Sequence, residues 1–133
     1  MSHIINVSTQ KRTQMLDITT QVAEKVKREG LKEGTCMIYC PHTTAGITIN
    51  ENADPSVRQD ILNHLEKLVP FKGNYSHLEG NADAHIKTSI IGSSATVIVS
   101  DGRLMLGTWQ GIFFCEFDGP RQRKVFLQLI PVH

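Results

Sequence analysis

The chain has 133 residues, of which 40% are hydrophobic and 20% are charged, and its formal net charge is +1 at pH 7. This is ordinary globular composition, so a disordered chain is excluded and no general attraction to nucleic acid or anionic lipid is expected. No apolar run approaches the ~20 residues that span a bilayer, and the first residues lack the basic and apolar regions of a secretory signal. We therefore expect one cytoplasmic domain over residues 1–133, without a membrane or nucleic-acid partner.

The three cysteines, Cys36, Cys40 and Cys115, agree with that compartment. An odd number of cysteines without a secretory signal favours reduced thiols. Cys36 and Cys40 fall on the same face of a predicted strand, which predicts that both are buried as small apolar side chains. A Cys-x3-Cys zinc pair is the weaker alternative, because zinc-binding cysteine pairs are usually more closely spaced.

The first half of the chain alternates strands with two helices. Two short strands are predicted over 3–10 and 14–18, paired with each other across a polar turn. Apolar residues at helical spacing predict a helix over 19–29 that ends at Gly30. Two more strands follow before Asp54-Pro55, a cap residue with proline at the first helical position, begins a helix that runs to Leu68.

In the second half, a short helix is predicted from Asn81 to the residue before Gly92. The nearly continuous apolar run 94–100 predicts a strand buried on both faces. After an Asp-Gly hairpin turn, residues 108–117 form the longest predicted strand, with Trp109 in the core. The run 121–131 returns as a strand that turns Val125, Leu127 and Leu129 inward, according to their alternation.

These elements define the fold class. The sequence predicts seven or eight strands, joined mostly as meanders, and two or three helices. This combination predicts an α+β domain with a mixed or antiparallel sheet. The long hairpin at the end of the chain indicates that the sheet curls or pairs with a second sheet. The expected core is therefore β-sandwich-like.

Histidines concentrate the candidate chemistry. His77 and His85 lie eight residues apart in a stretch rich in turn formers and acids, and His42 follows Pro41 at a strand end. Three imidazoles that converge near carboxylates can bind Zn²⁺ and leave a coordination position open, whereas Mg²⁺ prefers oxygen ligands. Taken singly, each histidine has a plainer explanation: a ring that satisfies the local turn, a solvated loop residue or a helix-face residue.

One asparagine and two acidic residues are candidates for moving a proton, positioning substrate or orienting a metal-bound histidine. Asn50 lies on the polar face at the end of a strand and Glu51 is the next residue, and the alternative is that this cluster caps the helix that begins after Asp54. Asp83 is a candidate acceptor for a metal-bound histidine, and it also suits the N-terminal turn of its helix as an acid.

Three further residues are candidates for binding substrate or phosphate. Thr44 lies in the polar loop after His42, and Arg121 follows an Asp-Gly-Pro turn, where a guanidinium can hold a phosphate with two hydrogen bonds. Gln110 lies on a strand face that carries both polar and apolar side chains. Such a face is expected either to contact another subunit or to line the bottom of a pocket. For Arg123 and Lys124, a solvated basic hairpin is the favoured interpretation.

Three blocks are distinctive when they occur in this order and spacing. The first runs from His42 to Pro55, the second from His77 to Lys87, and the third is Leu106-Gly-Thr-Trp-Gln-Gly-Ile112 followed by Glu116-Phe-Asp-Gly-Pro-Arg121. Together they closely resemble the YjbQ family, also called the secondary thiamine-phosphate synthase enzyme family, over essentially the whole chain.

The resemblance implies a compact α+β fold, a homotrimer with sites near subunit interfaces, and weak thiamine-phosphate synthase activity. That reaction joins hydroxymethylpyrimidine diphosphate to thiazole phosphate and releases pyrophosphate. With this likeness, we expect His42, His77 and His85 to hold a divalent metal, zinc first, with magnesium supplied with the substrate as the alternative. The alternatives to a metal-dependent enzyme on phosphorylated small molecules are a non-catalytic trimer that binds a metal or a phosphorylated metabolite, and histidines that fasten subunits together.

Overall fold

The structure is a computed structural model, and it describes residues 2–132. Its eight strands and three helices, counted over those residues, follow one another as β1 (Ser2–Ser8), β2 (Gln14–Asp17), α1 (Thr19–Glu29), β3 (Gly34–Tyr39), β4 (Ala45–Glu51), α2 (Pro55–Leu68), α3 (Ala82–Ile91), β5 (Ser94–Ser100), β6 (Arg103–Leu104), β7 (Gln110–Glu116) and β8 (Gln122–Pro131). No helix within 2–132 is both long and apolar enough to cross a membrane.

The strands form two antiparallel sheets. One has five strands in the order β1-β8-β3-β5-β6, and the other has three in the order β2-β7-β4. Buried side chains from both sheets and from α1 belong to one apolar cluster, so the main core lies between these elements. The predicted α+β class with a sandwich-like core is confirmed. Val125, Leu127 and Leu129 face this core as their alternation predicts.

The predicted pairing of the first two strands is wrong. β1 pairs with β8 along its whole length, and β2 pairs with β7 in the other sheet. The physical reason is that the two strands bury their apolar side chains in different places. Ile5 belongs to the main core, whereas Met15 joins a second cluster with Phe113 and Cys115. Long-range packing therefore overrides pairing between sequence neighbours.

The strand β5 is not buried on both faces as predicted. Val97 and Val99 are buried, but Ile98 between them is 63% exposed. Its outward face belongs to the outer surface of the five-stranded sheet, where Ile4 and Ile130 are also exposed. An antiparallel sheet can leave one face to solvent, so a continuous apolar run does not require cover on both sides.

The predicted longest strand, 108–117, is shorter than expected. β7 covers only seven residues, and the longest strand is β8 with ten. Trp109 precedes β7 and is 63% exposed, so its predicted place in the core is wrong. The helices fit their predictions more closely. Asp54 caps α2 by accepting a hydrogen bond from Ser56 N at 2.9 Å.

Candidate functional site

A polar cavity of about 350 Å³ brings together three parts of the chain that are distant in sequence. The loop between β3 and β4 contributes His42 and Thr44, α3 contributes His85, and the beginning of β8 contributes Arg123, with Arg121 just before it. We call this cavity the histidine–arginine pocket. Its other lining residues are Pro41, Thr43, Glu79, Asn81 and Asp118.

A buried ion pair lies at this pocket, with Arg123 in the lining and Glu116 behind it. Glu116 is fully buried and Arg123 is 5% exposed. The Glu116 carboxylate accepts hydrogen bonds from Arg123 Nε at 2.8 Å and from Arg123 Nη2, and further ones from Thr9 Oγ1 and Asp118 N. Burial alone would raise the pKa of Glu116, but these hydrogen bonds, led by that from Arg123, outweigh it and lower the pKa. Glu116 is therefore ionised and fixes the plane of the guanidinium.

The two terminal nitrogens of Arg123 differ in their hydrogen bonds. Nη2 also donates to Thr44 Oγ1 at 2.9 Å, which ties the loop of His42 to β8. Nη1 makes no hydrogen bond to any of residues 2–132 and is not among their buried unpartnered atoms. Arg123 thus presents oriented, unused N–H donors in a cavity that it lines. The prediction that it belongs to a solvated basic hairpin is wrong.

His42 is held in its neutral form. Its Nε2 accepts a hydrogen bond from Lys124 N at 3.0 Å, so the ring proton lies on Nδ1. Burial, together with the charge of Arg123, lowers the pKa of His42 below its ordinary value of 6.5. With Nε2 occupied and Nδ1 protonated, the ring offers an N–H donor and no free lone pair in this conformation.

The other two histidines lie beside one another. The rings of His77 and His85 meet edge to face with their centroids 5.3 Å apart, and His77 Nε2 is 3.8 Å from Glu79 Oε2. His77 and His85 both line a mostly apolar cavity, and only His85 also lines the histidine–arginine pocket. The predicted convergence is therefore partial.

These positions allow a test of the metal prediction. Within residues 2–132, no three His, Cys, Asp or Glu side chains are grouped closely enough to hold a metal ion. The hydrogen bond at His42 Nε2 removes the lone pair that a metal would need. The donor set of the single chain does not fit a three-histidine zinc centre in this arrangement, so no chemical step is derived through a metal.

Asp83 contacts cations rather than a histidine. It is fully buried, receives two hydrogen bonds from the Arg12 guanidinium at 3.2 and 2.9 Å, and accepts a third from Lys87 Nζ at 2.9 Å. Lys87, which is 1% exposed, is also 2.7 Å from Glu66 Oε1. Asp83 has no hydrogen bond to a histidine within residues 2–132, so the prediction that it orients a metal-bound ring is wrong, whereas its predicted place as an acid in the first turn of α3 is confirmed. Arg12 ties α3 to the turn before β2, and Lys87 ties α3 to α2 through Glu66.

The predicted residues Asn50, Glu51 and Gln110 lie away from the pocket. Along β4, Ala45 pairs with Glu116 at the pocket end, whereas Glu51 pairs with Gln110 at the opposite end. Six residues of extended strand separate these ends by roughly 20 Å. Asn50 Oδ1 accepts from Glu51 N, and Gln110 Oε1 accepts from Gly107 N, so both side chains form local hydrogen bonds at that end of the sheet.

Arg121 lies at the pocket as predicted. Its Nε donates to Asp118 O at 2.8 Å and its Nη2 to Asp118 Oδ2 at 3.0 Å, while Nη1 makes no hydrogen bond to residues 2–132. Asn81 precedes α3 as predicted, but its side-chain Nδ2 donates to Asp118 Oδ2 instead of capping the helix. Its Oδ1 is buried without a partner among residues 2–132.

Sequence reasoning missed the Glu116–Arg123 pair, although one signal was present. Arg123 has the same strand parity as Val125 and Leu127, which were predicted to face inward, and Glu116 has the parity of Ile112 and Phe114. Two opposite charges on the inward faces of neighbouring strands indicate a buried pair.

The cysteine prediction is confirmed. Cys36, Cys40 and Cys115 are free and buried. Burial raises the pKa of Cys36 to about 11 and that of Cys115 to about 12. Such thiols stay protonated near neutral pH, so they supply no reactive thiolate to the nearby pocket.

Comparison with known proteins identifies the family. The sequence model described as "UPF0047 protein YjbQ-like" matches residues 3–132. The chain belongs to the YjbQ-like UPF0047 family. It is 50% identical to the UPF0047 protein YugU of Bacillus subtilis, over 98% of this chain and 99% of that protein. It is 55% identical to a UPF0047 protein of Methanocaldococcus jannaschii, over 93% and 90% of the two chains.

Solved structures of this family share the fold. A YjbQ/UPF0047 protein from Clostridium acetobutylicum superimposes with a TM-score of 0.95 at 53% identity, covering 96% of this chain and 99% of that one. A protein from Aeropyrum pernix gives a TM-score of 0.95 at 40% identity, covering 99% of each chain. The resemblance of the three sequence blocks to the YjbQ family is confirmed.

Proposed function

We propose that this protein acts on a phosphorylated small molecule whose phosphate binds in the histidine–arginine pocket. The observation that carries the proposal is the orientation of Arg123. Its Nε and Nη2 are held by buried Glu116, and its unused Nη1 belongs to a residue that lines the cavity. A guanidinium with fixed orientation binds phosphate oxygens through directed, charge-assisted hydrogen bonds.

The neighbouring side chains support the same ligand. Neutral His42 offers an N–H donor, and Arg121 adds a second guanidinium with an unused Nη1. The lining contains two arginines and two carboxylates, Glu79 and Asp118. Because these charges balance, recognition depends on the direction of the donors rather than on a strong positive field.

The reaction that we propose to test is that of thiamine-phosphate synthesis, in which pyrophosphate leaves. Donors fixed before the reaction stabilise negative charge as it develops on a leaving diphosphate. The arginines of the pocket supply this stabilisation, and Thr44 holds Arg123 in position. Magnesium supplied with a diphosphate substrate, the alternative in the sequence-based prediction, needs no three-histidine site in the chain.

One observation favours binding without turnover as a second candidate function. Of the two carboxylates that line the pocket, Asp118 already accepts hydrogen bonds from Asn81 and Arg121. Glu79 is 75% exposed in its side chain. No enclosed carboxylate is therefore free to move a proton, and a carrier or sensor of a phosphorylated metabolite is consistent with this arrangement.

Turnover measurements distinguish the two functions. Wild-type protein is incubated with hydroxymethylpyrimidine diphosphate, thiazole phosphate and Mg²⁺, and pyrophosphate release is followed beside His85→Ala, Arg121→Gln and the exposed-helix control His64→Ala. The proposal predicts release that both pocket variants reduce at least tenfold, or about 1.4 kcal/mol, and that the control retains. Saturable binding of the diphosphate without release supports the carrier. Equal release by wild type and both pocket variants contradicts the proposal.

The cytoplasmic location stays a prediction, and so do the metal and the trimer, each of which has its own measurement. Elemental analysis of untagged wild type beside His85→Ala tests zinc: stoichiometric metal that the variant loses supports a histidine centre completed between subunits. Sedimentation tests whether the protein is a trimer. Sedimentation repeated after chelation tests the hypothesis that the histidines hold the subunits together through a metal, because only this hypothesis predicts dissociation.

A further inference from the structure

A second cavity, of about 480 Å³, lies between α2 and the beginning of β2 and shares no residue with the histidine–arginine pocket. One wall is the face of α2 that carries Arg58 and Leu62. The opposite wall comes from Lys11 and the residues that follow it. We call this cavity the α2 groove. Its remaining lining residues are Thr13, Gln14, Met15, Pro55, Gln59, Asn63 and Glu66.

Arg58 is the unexplained group in this groove. Within residues 2–132, its guanidinium has no hydrogen-bond partner and forms no ion pair with a carboxylate. The Nε is buried, whereas Nη1 and Nη2 are not among the buried unpartnered atoms and are the donors that a ligand in the groove can reach. The guanidinium lies over the Phe113 ring at 5.1 Å from the centroid, which holds the plane of the fork but satisfies none of its N–H donors. A guanidinium without acceptors is a ready site for an oxyanion.

The other charges of the groove do not neutralise Arg58. Glu66 is the sole carboxylate in the lining, and both of its oxygens are occupied, Oε1 by Lys87 Nζ at 2.7 Å and Oε2 by Phe71 N at 2.7 Å. Asp17, outside the lining, interacts with Arg58 only at long range. Burial tends to raise the pKa of Asp17, hydrogen bonds from Thr19 and Asn52 lower it, and Arg58 makes the smallest contribution to that lowering.

We propose that the α2 groove binds a small organic carboxylate with an apolar body. Arg58 supplies the fork for the carboxylate, and Lys11 supplies a second cation on the opposite wall. Leu62, Met15 and the ring of Pro55 supply an apolar surface beside them. Among residues 2–132, the lining of the histidine–arginine pocket contains no Leu, Ile, Val or Met side chain, so the apolar wall of the α2 groove distinguishes its ligand class.

A residue-resolved titration tests the proposal on the full chain. Hexanoate is added at constant ionic strength, and the backbone amides of 11–15 and 58–63 and the Arg58 side-chain Nε are followed by NMR. Hexan-1-ol and inorganic phosphate are the matched ligands. Saturable shifts confined to these residues are expected with hexanoate. Arg58→Gln is expected to weaken hexanoate binding at least tenfold. Substitution of the exposed Lys11 by Gln is expected to weaken it about threefold, and the control Lys67→Gln leaves it unchanged.

Three results overturn the proposal. The first is the absence of saturable shifts, and the second is equal affinity in Arg58→Gln, which leaves Arg58 with its Phe113 contact alone. The third is equal binding of hexan-1-ol or of inorganic phosphate, which shows that the carboxylate is not recognised. Shifts at residues 42–44 and 85 report the histidine–arginine pocket separately, so failure of either site does not decide the other.

Discussion

Two buried ion-pair clusters in this protein differ in whether an unused hydrogen-bond donor of the cluster lies at a cavity. In the cluster around Asp83, the carboxylate takes hydrogen bonds from Arg12 and Lys87, and Lys87 has a second carboxylate in Glu66. In the cluster around Glu116, Arg123 satisfies the carboxylate and still has Nη1 available at a cavity. The difference that the proposed function uses is that Arg123 has an unused nitrogen and lines a cavity.

The largest expected effect comes from breaking the cluster around Asp83. Lys87→Met leaves Asp83 with Arg12 alone and removes a buried cation from two carboxylates. Loss of one partner of a buried pair costs about 3–5 kcal/mol of folding free energy. Urea denaturation measures it, and Lys67→Met on the exposed side of α2 is the control. A loss below about 1 kcal/mol would show that Lys87 is not part of the structural framework.

A smaller loss of stability accompanies a loss of binding in the other cluster. Glu116→Gln keeps the shape but removes the charge that fixes Arg123, and charge-assisted hydrogen bonds contribute about 1.5–3 kcal/mol each. We expect a loss of about 2 kcal/mol in unfolding free energy and weaker pyrophosphate binding in the same variant. Unchanged binding would show that the orientation of Arg123 has no part in recognition.

The third prediction concerns pH and has the smallest effect on stability. Burial and Arg123 hold the pKa of His42 below 6.5, so the unfolded chain takes up a proton before the folded chain does. The contribution of His42 is therefore complete above pH 6.5 and is lost as pH falls toward its lower folded pKa. Unfolding measured between pH 7.5 and 5.5 is expected to depend less on pH in His42→Gln than in wild type; equal slopes would contradict this.

The elements were largely predictable because their signals are local. The beginning of α2 at Asp54-Pro55 and the end of α1 at Gly30 depend on the caps and backbone conformation of a few residues. Gly30, for example, adopts the left-handed conformation with φ of 70°. The pairing of β2 with β7 was not predictable in this way, because it depends on which apolar cluster receives Met15.

The candidate site was predictable by residue type more than by arrangement. His42, Thr44, His85 and Arg121 do line one pocket. Asn50 and Glu51 belong to the same sequence block as His42, yet the length of β4 carries them to its opposite end. Closeness along an extended strand does not give closeness in space, because each residue advances the chain by about 3.3 Å.

The most direct test makes the same substitution in both clusters. Arg123→Lys and Arg12→Lys keep the positive charge but remove the planar fork. Inorganic pyrophosphate is titrated into each variant and wild type, and NMR shifts at residues 42–44 and 85 give the affinity. We predict that Arg123→Lys weakens binding at least tenfold and that Arg12→Lys leaves it unchanged. Equal affinity in wild type and Arg123→Lys, or equal weakening in both variants, would contradict the claim that the unused donor of Arg123 makes the site.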